Sequence, residues 1–168
     1  MSTVASTLLP IGKDDPRWLA FYGLLQVNAR LVERVGSRME RETGLPPAWY
    51  EVLAQIHKGP CRMGELAESL VLSRGGATRL IARMEEDGLV EREIPKEDRR
   101  ATYARITDKG AEAFDRATPV HMAAVKELFS QYLTDEEADV LRAVYARVLL
   151  RNGVDCAPIT DGYELEAQ

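Results

Sequence analysis

Between Ser73 and Met84 the sequence SRGGATRLIARM carries three arginines, Arg74, Arg79 and Arg83, and no acid. A second cationic cluster follows in KEDRR, where Lys96, Arg99 and Arg100 lie within one short run beside Asp98. Guanidinium groups bind phosphate and carboxylate in a two-pronged geometry and, in a DNA major groove, pair with the edge of guanine. The bland reading of both clusters is solvated surface. The sharper one is a face shaped to touch a polyanion, on a chain whose net charge is -5.

Other chemistries find less support. His57 and His121 are the only histidines, and they stand far apart with no ligand spacing. No GxSxG motif or phosphate-binding glycine loop is present, and no carboxylate pair is tied to a plausible pocket, so an enzyme is not expected. Cys61 and Cys156 lack the paired spacing of a zinc site, and no cofactor is expected. Reduced thiols in a cytoplasmic protein are the favoured state, with a single disulfide as the alternative. The acidic balance argues against indiscriminate coating of nucleic acid or membrane, but allows a local basic face. Met1 to Pro10 lacks a charged segment followed by an apolar core, so no secretory signal is expected. No apolar run reaches the roughly 18 residues of a membrane span, and no membrane partner is expected.

The elements that must position the arginines follow from periodicity and punctuation. DDPRW starts a helix, with Asp15 as N-cap and Pro16 in the first turn. Apolar residues from Trp18 to Met39 then recur at three- and four-residue steps, giving about seven turns that end at Thr43-Gly44. So much aromatic surface near the chain start calls for a long partner, a second copy of the chain being one candidate. Pro46-Pro47 opens a helix that stops at Lys58 to Pro60, and GELAESL forms a short third helix. After the link Val71-Leu72, Ser73 caps a fourth helix running to Gly88. Leu89 to Ile94 and Ala101 to Ile106 read as two strands around a loop. Thr107 caps a further helix that Pro119 either kinks or divides, and Thr134-x-x-Glu137 is a capping box for a last apolar helix. After Asn152-Gly153 the charges are all acidic, and this tail is expected to be mobile.

Helix, tight turn, helix and hairpin in residues 64–106 form the pattern of a winged helix-turn-helix, whose second helix enters the major groove. Along that helix Ala77, Leu80, Ile81 and Met84 share a stripe that should face the core. Arg79 then points the other way, with Gly75, Thr78, Ala82 and Arg83 beside it. The helix is basic only in its N-terminal half, since Glu85, Glu86 and Asp87 follow, which suits insertion by that end. Gly75-Gly76 costs helix stability but leaves a small profile for close approach. Candidate DNA contacts on this helix are Ser73, Arg74, Gly75, Gly76, Thr78 and Arg79.

The stretch ELAESLVLSRGGATRLIARMEEDGLVER, together with KEDRRATYARITDKG, resembles the MarR family of bacterial transcription regulators. The likeness runs from about Trp18 to Leu150. Its most specific part resembles the family's wing signature, D-x-R followed by a strand and LT-x-x-G, with Ile106 in place of the leucine. The resemblance implies a homodimer on a pseudo-palindromic operator, more often as a repressor, with Arg100 in the minor groove and Asp98 holding it. Arg99 and Lys96 would be phosphate partners. A guanidinium also suits the negative potential of a narrow minor groove on physical grounds alone.

The expected architecture is mainly α with a small β-hairpin: a winged helix-turn-helix domain flanked by N- and C-terminal dimerisation helices. Its parts would be an arm (1–15), a dimerisation helix (16–45), the DNA-binding domain (46–106), C-terminal dimerisation helices (107–151) and an acidic tail (152–168). Many family members release DNA when a small aromatic or anionic molecule binds between the dimer helices and the DNA-binding lobe. Trp18, Tyr22, Trp49, Tyr50, Glu51 and Arg83 are the candidates to line such a site, against the reading that the tryptophans are simply packing. A winged-helix dimer that binds an acidic protein is the alternative to a DNA-binding regulator.

Overall fold

A computed structural model describes residues 12–95, 101–154 and 156–162. Its first helix, α1 (Pro16–Thr43), begins where Asp15 accepts the Arg17 backbone N–H at 2.8 Å. The Arg17 guanidinium also binds that carboxylate and holds its pKa down at about 2. Gly44, at φ +70°, ends the helix in the left-handed conformation. Helix α2 (Pro47–Ile56) crosses α1 closely at Gly36, where an added Cβ would sit 2.8 Å from Pro47 Cγ.

Helices α3 (Met63–Ser69) and α4 (Arg74–Glu86) form the helix-turn-helix. In the turn, Leu72 N–H bonds the Ala67 carbonyl at 2.8 Å and Val71 N–H the Glu68 carbonyl at 3.1 Å. This pair of hydrogen bonds places Val71 where glycine is usual, and Val71 takes φ +54° with 92% of its surface exposed. The same motif closes α4, but there Gly88 fills the position at φ +71°.

Strands β2 (Val90–Glu93) and β3 (Tyr103–Ile106) pair antiparallel, Arg92 opposite Ala104. The expected two-stranded hairpin is in fact the larger part of a three-stranded sheet. Strand β1 (Cys61–Arg62) joins the other edge of β3, giving the order β1-β3-β2. Cys61 therefore lies in a strand. Two residues are too short to show alternation, so nothing local announces that strand.

Helix α5 (Asp108–Leu128) runs unbroken through Pro119, with Ala117 and Ala124 buried on either side of it. A short 3₁₀ turn (Ser130–Tyr132) leads to α6 (Asp135–Arg151), where both bonds of the Thr134–Glu137 capping box are formed. The described part of the tail lies against α6. Ala157–Thr160 forms a helical turn, α7, and the Arg142 guanidinium donates to the Asp161 carbonyl at 3.0 Å. Among the described residues no helix is long and apolar enough to cross a membrane.

The core lies where α2, α3, α4 and the sheet meet the first half of α5. Val52, Leu53, Ile56, Leu66, Ile81 and Met84 are fully buried there. The outer helices differ. α1 packs on α5 and α2 through its C-terminal half, where Gly36 and Met39 are buried, and α6 packs chiefly on α7.

Candidate nucleic-acid interface

The expected stripe on α4 is the one the fold buries. Ala77, Ile81 and Met84 are buried and Leu80 is half-buried. Arg74, Gly75, Thr78, Arg79 and Arg83 are all exposed on the rest of the helix surface. Among the described residues no carboxylate lies within ion-pair distance of Arg74, Arg79 or Arg83. Among the described residues nothing neutralises their charge. At the N-terminus of α4, Ser73 Oγ accepts the Gly76 N–H at 3.1 Å. A Cβ at Gly76 would come within 3.2 Å of that oxygen, so this glycine protects the cap. One at Gly75 would meet only the Arg79 guanidinium, at 3.6 Å, leaving the outer surface low. The Thr78 hydroxyl already donates to the Arg74 carbonyl at 2.8 Å. It can offer a partner only its acceptor lone pairs and its methyl group.

The wing strands carry Glu91, Arg92, Glu93 and Arg105, and these charges are paired. Arg105 binds Glu93 at 2.5 Å across the strand pair, and Arg92 binds Glu85 of α4 at 3.3 Å. Lys96, Asp98, Arg99 and Arg100 lie outside the described residues. The segment ITDKG, from the last residue of β3 into α5, has a definite geometric purpose. Thr107 Oγ1 accepts the Gly110 N–H at 3.0 Å and donates to the Gly88 carbonyl at 2.7 Å. A Cβ at Gly110 would fall 2.0 Å from the Leu89 carbonyl oxygen, so only glycine lets α5 start this close to the end of α4. Lys109 Nζ donates to the Asp87 carbonyl at 2.5 Å and completes the joint.

The family comparison meets this geometry at the same place. A model of the MarR family matches residues 43–101, which hold α2, the helix-turn-helix and β2. An uncharacterised HTH-type transcriptional regulator of Bacillus subtilis, YkoM, is 31% identical over 122 residues, covering 70% of this chain and 79% of its own. The chain belongs to the MarR family.

The fold agrees with solved members of the family. AbsC, a MarR family transcriptional regulator from Streptomyces coelicolor, superposes with a TM-score of 0.75 at 28% identity, over 80% of this chain and 93% of its own. Sco3205, a MarR family regulator from the same organism solved in complex with DNA, gives 0.74 at 26%, over 84% and 94%. The relatives are transcriptional regulators, not enzymes.

Within one copy of this MarR-family chain the six candidate ligand residues are not brought together. Tyr50 and Glu51 line a cleft of about 420 Å³ between α1, α2, the end of α3 and α5, together with Gly36, Met39 and His121. Trp49 is half-buried and lines a separate groove of about 170 Å³ with Leu45 and Lys109. Trp18 and Tyr22 are exposed on the N-terminal part of α1, and Arg83 is exposed on α4.

Sequence reasoning missed His121 here. Its ring lies 4.7 Å from that of Tyr50, and its Nδ1 is buried with no hydrogen-bond partner. Burial lowers its pKa. A lone histidine on a helix gives no sequence signal of such a contact. At Cys61, burial and the nearby Glu65 carboxylate push the thiol up, which disfavours the reactive thiolate.

Proposed function

We propose that this MarR-family regulator binds double-stranded DNA as a homodimer, inserting α4 into the major groove of each half of a pseudo-palindromic operator. In this reading it represses the genes it controls until a small aromatic or anionic molecule binds. The observation that carries the reading is the pair of opposed faces on α4. One is buried in the core, and the other presents Arg74, Arg79 and Arg83 with no carboxylate partner among the described residues.

The contacts divide by chemistry. Arg79, opposite the buried stripe, is assigned to base edges, where each good two-pronged pair contributes about 1–3 kcal/mol of discrimination. Arg74, the Ser73 hydroxyl and the Gly75 backbone are assigned to phosphate at the positive end of the helix, while Gly76, its N–H held by Ser73, leaves room for close approach. Thr78 offers its methyl group to thymine, since its hydroxyl proton is engaged. Lys96 and Arg99 would hold phosphates, and Arg100, aimed by Asp98, would enter the minor groove.

A second copy is the natural cover for the outer helices. Leu19, Phe21, Tyr22, Leu25 and Val32 are exposed on α1, and Val140, Val144 and Val148 on α6. Dimers also suit the operator, because two-fold protein symmetry requires two half-sites about one helical turn apart. The cleft at Tyr50 and Glu51 supports the effector reading. It reaches the turn between α3 and α4 through Leu70 and Val71, so a ligand there would press on the recognition helix. Trp18 and Tyr22 are free to approach from the partner copy.

Selection of bound duplexes from a randomised pool tests the reading. The expected product is a motif with two inverted half-sites. Recovery of unrelated sequences contradicts it, and no binding even at low salt points to the acidic-protein alternative.

A further inference from the structure

We infer that Arg92 is a positioning residue for DNA recognition, clamping wing strand β2 to recognition helix α4 through Glu85 and the Thr78 carbonyl. The inference rests on the DNA-binding role proposed for α4. Its basis is a set of contacts that start from one residue of the strand. Arg92 Nη1 lies 3.3 Å from Glu85 Oε2, and Nη2 donates to the Thr78 carbonyl at 3.1 Å. The backbone N–H of Arg92 donates to Glu85 Oε1 at 3.0 Å. One carboxylate thus holds both the main chain and the side chain of Arg92.

The arrangement follows from helix geometry. Glu85 stands two turns beyond Thr78, roughly 10 Å along the axis. Side chains tilt toward the helix N-terminus while carbonyls point to the C-terminus, so the two acceptors converge. A planar guanidinium can reach both at once, and a lysine ammonium offers no such fork. The Thr78 carbonyl belongs to the peptide unit that carries Arg79. The clamp therefore ties the strand leading into the wing to the backbone beneath the residue assigned to base reading. Arg105, by contrast, pairs within the sheet, to Glu93 and Glu91, and fixes nothing against α4. Both clamp side chains are about a third exposed, so the pair itself adds little to stability. Its effect is on relative placement.

The test compares two duplexes by fluorescence anisotropy: the one selected by the wild-type protein from a random pool, and a scrambled duplex of equal composition. Arg92→Lys keeps the charge, so affinity for scrambled DNA and the salt slope should stay at wild-type values. The ratio of selected to scrambled affinity should fall roughly tenfold. Glu85→Gln should lower the same ratio, although its lost negative charge strengthens binding to scrambled DNA. The double variant should be no worse than the worse single one, because both act through one contact. Wild-type ratios in both single variants overturn the clamp. So does equal tightening of both duplexes by Glu85→Gln, which makes Arg92 a phosphate contact in its own right. Equal weakening of both duplexes with a lowered melting temperature also overturns it, as a purely structural role. A wild-type protein that does not discriminate at all removes the DNA-reading role itself, and the clamp with it.

Discussion

The helix-turn-helix lobe and the outer helices use similar apolar residues to opposite ends. In the lobe, Leu53, Ile56, Leu66, Ile81 and Met84 are sealed from solvent within one chain. On the outer helices, Val32 keeps 61% of its surface exposed and Val148 56%. The lobe completes its own core. The outer helices carry apolar side chains that the other described residues leave exposed. The proposed recognition and assembly roles therefore fall to two physically different regions, and substitutions should separate them.

The sharpest separation comes from truncating each surface in turn. Met84→Ala should cost about 2–5 kcal/mol in urea denaturation, because the transfer loss and the cavity add. Val148→Ala should leave the subunit within about 0.5 kcal/mol, while shifting the monomer–dimer equilibrium toward monomer. Equal losses at both sites would erase the distinction.

Next in size is the joint between the regions. Gly110→Ala forces a methyl group into the Leu89 carbonyl and should cost about 1–3 kcal/mol, seen as a lower melting temperature. An unchanged melting temperature would mean that α5 can move away from α4 freely. Leu25→Asp should weaken the dimer at least about tenfold in sedimentation, or about 1.4 kcal/mol, with the lobe still folded by circular dichroism.

A gain is expected at Val71. Glycine there removes the strain of a β-branched residue at φ +54° and should stabilise the lobe by up to about 1 kcal/mol. No structural contact explains the valine.

The smallest effect concerns His121. Burial lowers its folded-state pKa, so the unfolded chain takes up its proton first as pH falls. The stability linked to the neutral ring is full above about pH 6.5 and is lost as pH falls through the lower folded value. Among the described residues the only charged group lining its cleft is Glu51, while Tyr50 and Phe114 stack beside the site. His121→Gln should flatten this part of the pH–stability curve. A steeper fall in the variant would contradict the assignment.

What the sequence disclosed was local. Asp15, Ser73, Thr107 and Thr134 each cap the helix they were expected to cap, because a cap is a bond between residues two or three apart. The buried stripe of α4 was equally legible, since its period is set by the helix alone. What stayed hidden was non-local. Strand β1 exists only through its pairing with β3, forty residues on. The Arg92 clamp needs a helix and a strand placed side by side, and the spacing of Glu85 and Arg92 across a glycine turn says nothing of it. Tyr50 and Glu51 were expected in one site with Trp49, yet adjacent positions on a helix face different directions, and Trp49 lines another groove.

The most direct test of the account is the salt dependence of DNA binding by the wild-type protein and by Arg79→Ala. On the selected duplex, the logarithm of wild-type affinity should fall linearly with the logarithm of salt concentration, at about -0.9 per phosphate neutralised. Arg79→Ala should lose discrimination against scrambled DNA, by about 1–3 kcal/mol. Equal affinity of the wild-type protein for every duplex, or equal weakening of both duplexes by the substitution, would contradict the assignment of the open face of α4 to base reading.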